Sequence, residues 1–297
     1  MLQTKTSAVK FDWVIPSLRD SIVQRTDING FVYNAYELQG DAPIVGSVNI
    51  VQLDKKPVGH EGITIDLIGL VMLQNNKNIQ FFTKTVNVVN QGQVTGSQLC
   101  PFDFTGTKLP AESVDLQTGI FKVKYYLVCT MKQKNAKNNI VASQELVYME
   151  ALDKPVDLPH KSEVCAENAL QVEIECPNTN LDVTCDILYG KVHFVTAQKK
   201  MEEMKVQIKR RDGYRMTAND VPILTDWFDL YNYQIMDGAP VRNEIIPFKI
   251  RLDQISNITP SFKTDLVKVE YCLLICVIDT DGQSYYKDVP LIFYRGK

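Results

Sequence analysis

Apolar and polar residues alternate along several stretches of the chain. Ile63, Ile65 and Leu67 are separated by Thr64 and Asp66. Val206 and Ile208 alternate with Lys205, Gln207 and Lys209, and Phe121, Val123, Tyr125 and Leu127 with Lys122, Lys124 and Tyr126. Successive side chains of a strand point to opposite faces, so a period of two predicts strands with one buried and one wetted face. Antiparallel sheets have this character, whereas parallel strands are usually buried on both sides. Turn residues punctuate the runs at Gly40 with Asp41, at 90–92, at Gly106, at 178–180 and at Asp281 with Gly282. Short strands broken by such turns predict β-sandwiches. The best helical window, 198–204 (QKKMEEM), has room for one or two turns only. The chain therefore reads as all-β.

The pattern also repeats. Residues 46–56 (GSVNIVQLDKK) and 190–200 (GKVHFVTAQKK) share Gly, Val, Val, Lys and Lys in register. Residues 63–67 resemble 204–208, and 123–127 (VKYYL) match 269–273 (VEYCL). The three matches come in the same order with nearly the same offset. That offset is far longer than a solenoid repeat of about 20–50 residues, so it marks a duplicated domain. Residues 151–163 (ALDKPVDLPHKSE) lie between the copies. Pro155 and Pro159 remove ladder donors there, so a strand does not easily cross. Two domains follow, 1–155 and 156–297. The first thirty residues have no counterpart in the second half, and 11–15 (FDWVI) offer one extra strand.

Composition narrows the function. Hydrophobic residues make up 45% of the 297 positions, which excludes a disordered chain. The formal charge of −3 provides no broad attraction to nucleic acid or to an anionic membrane. The longest apolar run, 271–278 (YCLLICVI), is far short of the roughly 20 residues of a membrane-spanning helix. The first ten residues carry basic groups but no apolar core follows, so a cytosolic or nuclear location is expected. Seven cysteines at irregular spacing, with no CxxC pair, make neither a disulfide framework nor a zinc knuckle. Cys272 and Cys276 sit in an apolar strand and read as buried, reduced thiols.

Chemistry-bearing motifs are sparse. His60 precedes Glu61 and Gly62 without the second histidine of a zinc protease motif, and its position at the entry of a strand favours a structural role. His193 lies in the repeated strand at the place of Asn49, and His160 lies in the linker. Asp279, Asp281 and Gly282 read as a hairpin turn rather than a calcium loop, since the later ligands are missing. Asn257 begins a formal glycosylation sequon, which has no meaning without a signal peptide. Residues 209–211 (KRR) read mainly as a solvated face, with a phosphate or acidic-partner contact as the alternative. No catalytic residue, metal or cofactor is expected.

Two segments resemble the arrestin fold. In the first, a Gly-x-Val strand at 46–48 is followed by 60–69 (HEGITIDLIG). In the second, 101–104 (PFDF) leads to Leu109 with Pro110 and then to 123–127. The resemblance implies an arrestin-like chain of two tandem immunoglobulin-like β-sandwich domains. Within that superfamily, 235–241 (IMDGAPV) with Ile246 and Pro247, and 169–194, resemble the vacuolar protein sorting-associated protein 26 family, the arrestin-like subunit of retromer. This likeness runs from about residue 29 to the end; residues 1–28 match poorly.

The family implies a non-catalytic subunit of a cargo-recognition complex on the cytosolic face of endosomes. Its implied partners are the α-solenoid subunit, vacuolar protein sorting-associated protein 35, together with sorting nexins and cargo tails. Membrane association is then peripheral and through the complex, and no nucleic acid is involved. The family's solenoid contact maps onto Ile235 and Met236, with Asp237 and Gly238 completing the turn. Residues 217–234 read as a polar and aromatic connection, in which Trp227, Phe228 and Tyr231 could add a contact. The alternatives are the related subunit of the retriever complex, or another arrestin-fold adaptor; the absence of any Pro-Pro pair removes the PPxY motifs of ubiquitin-ligase adaptors.

Overall fold

Positions that alternate between buried and wetted become strands throughout, and the described residues contain no α-helix, only 3-10 turns at Pro16–Leu18 and Leu252–Gln254. This computed structural model describes residues 8–18, 21–26, 31–53, 55–75, 77–115, 119–134, 138–166, 170–256 and 258–297. Asn257 of the sequon and residues 1–7 lie outside them. The chain divides into two units, residues 1–150 and 151–297. Each is an arrestin-like β-sandwich.

The first unit contains β1 (Val9–Val14), β2 (Ile22–Thr26), β3 (Val32–Gln39), β4 (Val45–Gln52), β5 (Val58–Leu73), β6 (Asn78–Val94), β7 (Ser97–Asp103), β8 (Phe121–Gln133) and β9 (Ile140–Met149). They form a small sheet in the order β1-β4-β7 and a larger one in the order β2-β3-β9-β8-β5-β6. All neighbours are antiparallel except β3 with β9. Ile63, Ile65 and Leu67 on β5, and Val123, Tyr125 and Leu127 on β8, are fully buried, as the alternation predicts.

The second unit contains β10 (His160–Ala166), β11 (Leu170–Cys176), β12 (Asn180–Asp182), β13 (Ile187–Ala197), β14 (Met201–Tyr214), β15 (Ile223–Leu224), β16 (Phe228–Asp237), β17 (Glu244–Arg251), β18 (Phe262–Lys263), β19 (Val267–Asp279) and β20 (Ser284–Tyr294). One sheet runs β10-β11-β13-β17 and the other β12-β20-β19-β14, with β15 and β16 both on the far side of β14. His160 thus opens a strand rather than lying in a linker.

The repeated segments occupy equivalent places in the two units. β4 and β13 lie inside the small sheets, while β5 beside β8, and β14 beside β19, form antiparallel pairs in the large ones. The glycine that starts each copy has the same job. Gly46 pairs with Phe102 and Gly190 with Phe248 on the neighbouring strand. A Cβ on Gly46 would stand 2.5 Å from Val14 O and 2.9 Å from the Phe102 ring, and one on Gly190 would clash with the tip of the Phe248 ring. Each phenylalanine lies across the bare backbone of its glycine.

Other expectations are corrected too, and residues 90–92 lie inside β6 rather than at a turn. The window 198–204 is not helical: Met201 begins β14, and burial of Met201 and Met204 holds it in the sheet. Much of 217–234 is not a connection but β15 and most of β16. Finally, the basic triplet is not a solvated face. Arg210 is fully buried, its Nε donating to Asp212 Oδ1 at 2.6 Å. Lys209 and Arg211 point the other way and pair with Asp229 and Glu270, each at 2.9 Å.

Candidate partner-binding site

β16 runs along β14, and among the described residues its other edge carries no strand. The pairing is interrupted twice. Ile208 faces Tyr231 while Lys209 faces Asp229, so Leu230 is extra; Met204 faces Met236 while Lys205 faces Gln234, so Ile235 is extra. Each is a β-bulge, which bends the strand and re-aims the unpaired side chain. Alternation therefore breaks in FDLYNYQIMD, and the segment does not look like a strand in the sequence.

The second bulge sets the geometry of the predicted anchor. Ile235 and Met236 are both half-buried. Met236 lies opposite the fully buried Met204. Ile235 borders a cleft of about 280 Å³ between the edges of the two sheets, with Val206, Tyr233 and Gln234 on its side and Pro247, Phe248, Lys249 and Ile250 on the β17 side. Asp237 is exposed, and Gly238 turns the chain with φ 95°, a left-handed conformation suited to glycine. The Gly238 N–H donates to Glu202 O at 2.6 Å and the Asn243 N–H to Phe194 O at 2.7 Å, so the turn is tied to both sheets. Tyr233, Val241 and Ile245 are 58%, 68% and 53% exposed around it. Sequence reasoning placed Tyr233 among the aromatics of 217–234 but missed Ile245, which lies on β17 opposite His193 and has no signal of its own in the sequence.

The other candidates are not all at this place. Trp227 and Phe228 lie at the opposite end of β16, roughly 25–30 Å from Met236 at about 3.3 Å per residue. Trp227 stacks on the Arg211 guanidinium at 4.5 Å, and Phe228 lies 5.9 Å from that of Arg210. Tyr231 sits midway, half-buried and stacked on Tyr233 with ring centroids 6.4 Å apart. Partial burial, with the neighbouring Tyr233 phenol, raises the Tyr231 pKa above its ordinary value. The structure thus brings together Ile235, Met236, Asp237 and Gly238, and separates them from Trp227 and Phe228.

Elsewhere the chemistry is structural. His60 is fully buried on β5, and burial lowers its pKa. Gln98 is near enough to oppose that shift without forming a well-aligned hydrogen bond. His193 reaches Glu173 at 3.1 Å on the outer face of β13. All seven cysteines are free thiols; Cys272 is buried and Cys276 half-buried. Among the described residues no three His, Cys, Asp or Glu side chains are grouped to hold a metal ion, and no helix is long and apolar enough to cross a membrane.

A profile described as vacuolar protein sorting-associated protein 26 matches residues 16–282. The chain is 28% identical over 246 residues to human vacuolar protein sorting-associated protein 26B, covering 81% of this chain and 70% of that one. It is 28% identical over 260 residues to the Arabidopsis thaliana protein 26B, covering 86% and 83%. It is 24% identical over 279 residues to the Dictyostelium discoideum protein 26, covering 92% and 78%.

Proposed function

The chain belongs to the vacuolar protein sorting-associated protein 26 family, and from that membership we propose that it is the non-catalytic, arrestin-like subunit of a retromer complex. A role in vacuolar protein sorting comes with the family. The finer reading is that the second unit docks on the α-solenoid subunit, vacuolar protein sorting-associated protein 35. With sorting nexins, the assembly then captures membrane-protein cargo on the cytosolic face of endosomes.

One observation carries this reading. Ile235 stands on a bulge of an unpaired strand edge, beside an open cleft, with exposed Tyr233, Val241 and Ile245 around it. An edge strand with apolar side chains out of its ladder is suited to receive a partner's apolar surface rather than a further strand. Gly238 turns the chain two residues after Met236, its N–H held by Glu202 O.

The test is binding of the full chain to the solenoid subunit of the same organism. An Ile235→Asp, Met236→Asn variant, shown to be folded, is the comparison. Burying each side chain contributes about 1.5–3 kcal/mol, so loss of both weakens binding by roughly two to four powers of ten. Failure of folded wild type to bind overturns membership in the complex and favours the retriever subunit or a free adaptor. Equal binding by both proteins keeps the complex and moves the contact along β16 toward Trp227.

A further inference from the structure

Strand directions in the first unit collect one set of ends at a single pole. β2, β6 and β8 finish there and β3, β5 and β9 begin there, as the pairs Thr26 with Val32, Val94 with Val58, Gln133 with His60 and Met131 with Ile140 require. The small sheet joins them, since β4 finishes and β1 and β7 start at the same pole. The Lys134 N–H donates to Gly59 O at 3.4 Å, and the Gln52 N–H to Gly96 O at 2.7 Å, which draws the connections together. The chain leaves this unit from the other end of β9.

Two kinds of side chain meet at this pole. Phe31, Val32, Leu53 and Val141 are 71%, 63%, 60% and 45% exposed. Lys55, Lys56, Lys132 and Lys134 are exposed, and none forms an ion pair with a described residue. At the same pole Lys10 pairs with Asp12, and away from it Lys122 and Lys124 are held by Asp115 and Glu145, while Lys77, Lys84 and Lys108 are exposed without an ion pair to a described residue. The stretch 131–144 has no acid. Glu61 and Asp12, the latter paired with Lys10, are described carboxylates that border the pole; Asp27 and Asp54 lie outside the described residues. Across the large sheet the exposed apolar residues of β3 and β9 adjoin the lysines of β8 and of the connection into β5.

We propose that this pole docks on an anionic lipid bilayer, the lysines against headgroups and the apolar side chains in the interfacial layer. Charge complementarity selects this occupant. Lysine is depleted from protein–protein interfaces, whereas an anionic membrane surface attracts each nearby lysine. Apolar side chains at strand ends and connections, rather than in a cleft, match a planar interface that accepts shallow insertion. The overall charge of −3 makes the attraction local to this pole. The inference rests on the first unit alone and stands whether or not the second binds a solenoid.

The experiment is co-sedimentation of the full chain with phosphatidylcholine vesicles, with and without phosphatidylserine. The expected result is binding only to the anionic vesicles, weakened by added salt. Replacing Lys55, Lys56, Lys132 and Lys134 by Gln, with folding checked by circular dichroism, removes about a fivefold factor per lysine. Affinity then falls by roughly two to three powers of ten. A Val32→Ser, Leu53→Ser variant keeps the salt sensitivity and binds more weakly. Absence of binding by folded wild type at any lipid concentration overturns the proposal, as does equal binding by the four-lysine variant. Binding to polyglutamate but not to vesicles also overturns it and assigns the pole to an acidic protein. Vesicle binding with no solenoid binding leaves this inference intact while removing the reading of the second unit.

Discussion

Arg210 and Asp212 share the inward face of β14 and have no exposed side-chain surface to speak of. The guanidinium also reaches Thr259 Oγ1 at 3.5 Å and lies about equally far from the Phe228 and Tyr271 rings, at 5.9 and 6.0 Å. A buried charge whose partner is removed is strongly destabilising, by about 3–5 kcal/mol, whereas replacing both members by apolar residues of similar size is often neutral. Asp212→Leu alone is therefore expected to lower the midpoint of denaturant unfolding sharply, and Arg210→Met with Asp212→Leu to restore much of it. Equal loss in the single and double variants would show that the pair contributes little coupling. Burial of a basic residue inside a KRR triplet is not legible in the sequence. The alternation that places Val206 and Ile208 inside extends to Arg210 and Asp212, but charge argues for solvent until the acidic partner two residues on is seen as its mate.

Among elements, the strands with clean alternation were legible: β5, β8 and β14 all contain the segments 63–67, 121–127 and 204–208 that the period of two singles out. β16 was not, since its bulges at Leu230 and Ile235 break the period, and so the candidate site was recognised by likeness rather than by pattern. The repeated glycines show the opposite case, in which a sequence match acquires a cause. Gly190→Ala forces a methyl against the tip of the Phe248 ring. Overpacking costs about 1–3 kcal/mol, more than the 0.4–1 kcal/mol or so gained by restricting the unfolded chain. Thermal unfolding of the second unit should shift down in Gly190→Ala, and Phe248→Leu in the same chain should recover part of the loss. An unchanged midpoint in Gly190→Ala would mean that the ring moves aside freely.

At the scale of the whole molecule, the same plan is used twice with different outer edges. After the strand that carries the second repeated segment comes an edge strand in each unit, β6 in the first and β16 in the second. β6 is regular enough to span seventeen residues, although it too has bulges opposite β5. β16 is shorter, and its turn is tied to both sheets. The likeness of 46–56 to 190–200 was legible because Gly, Val and the paired lysines keep their register. The difference between the edges was not, because it depends on which strand each pairs with.

The parallel pair of β3 with β9 sets a timetable for synthesis. Tyr36 meets Leu146, so the large sheet of the first unit stays open until its last strand has left the ribosome. Every other pairing of that unit lies within residues 1–150. At about 5–20 residues per second, translating the second unit takes roughly 7–30 s, long compared with the ms–s folding of β-sandwiches. Nascent chains stalled with about forty residues beyond Glu150, enough to clear the exit tunnel, should resist protease over the first unit, and chains stalled before β9 emerges should be cut. The first unit is therefore a finished body while the second is still being made.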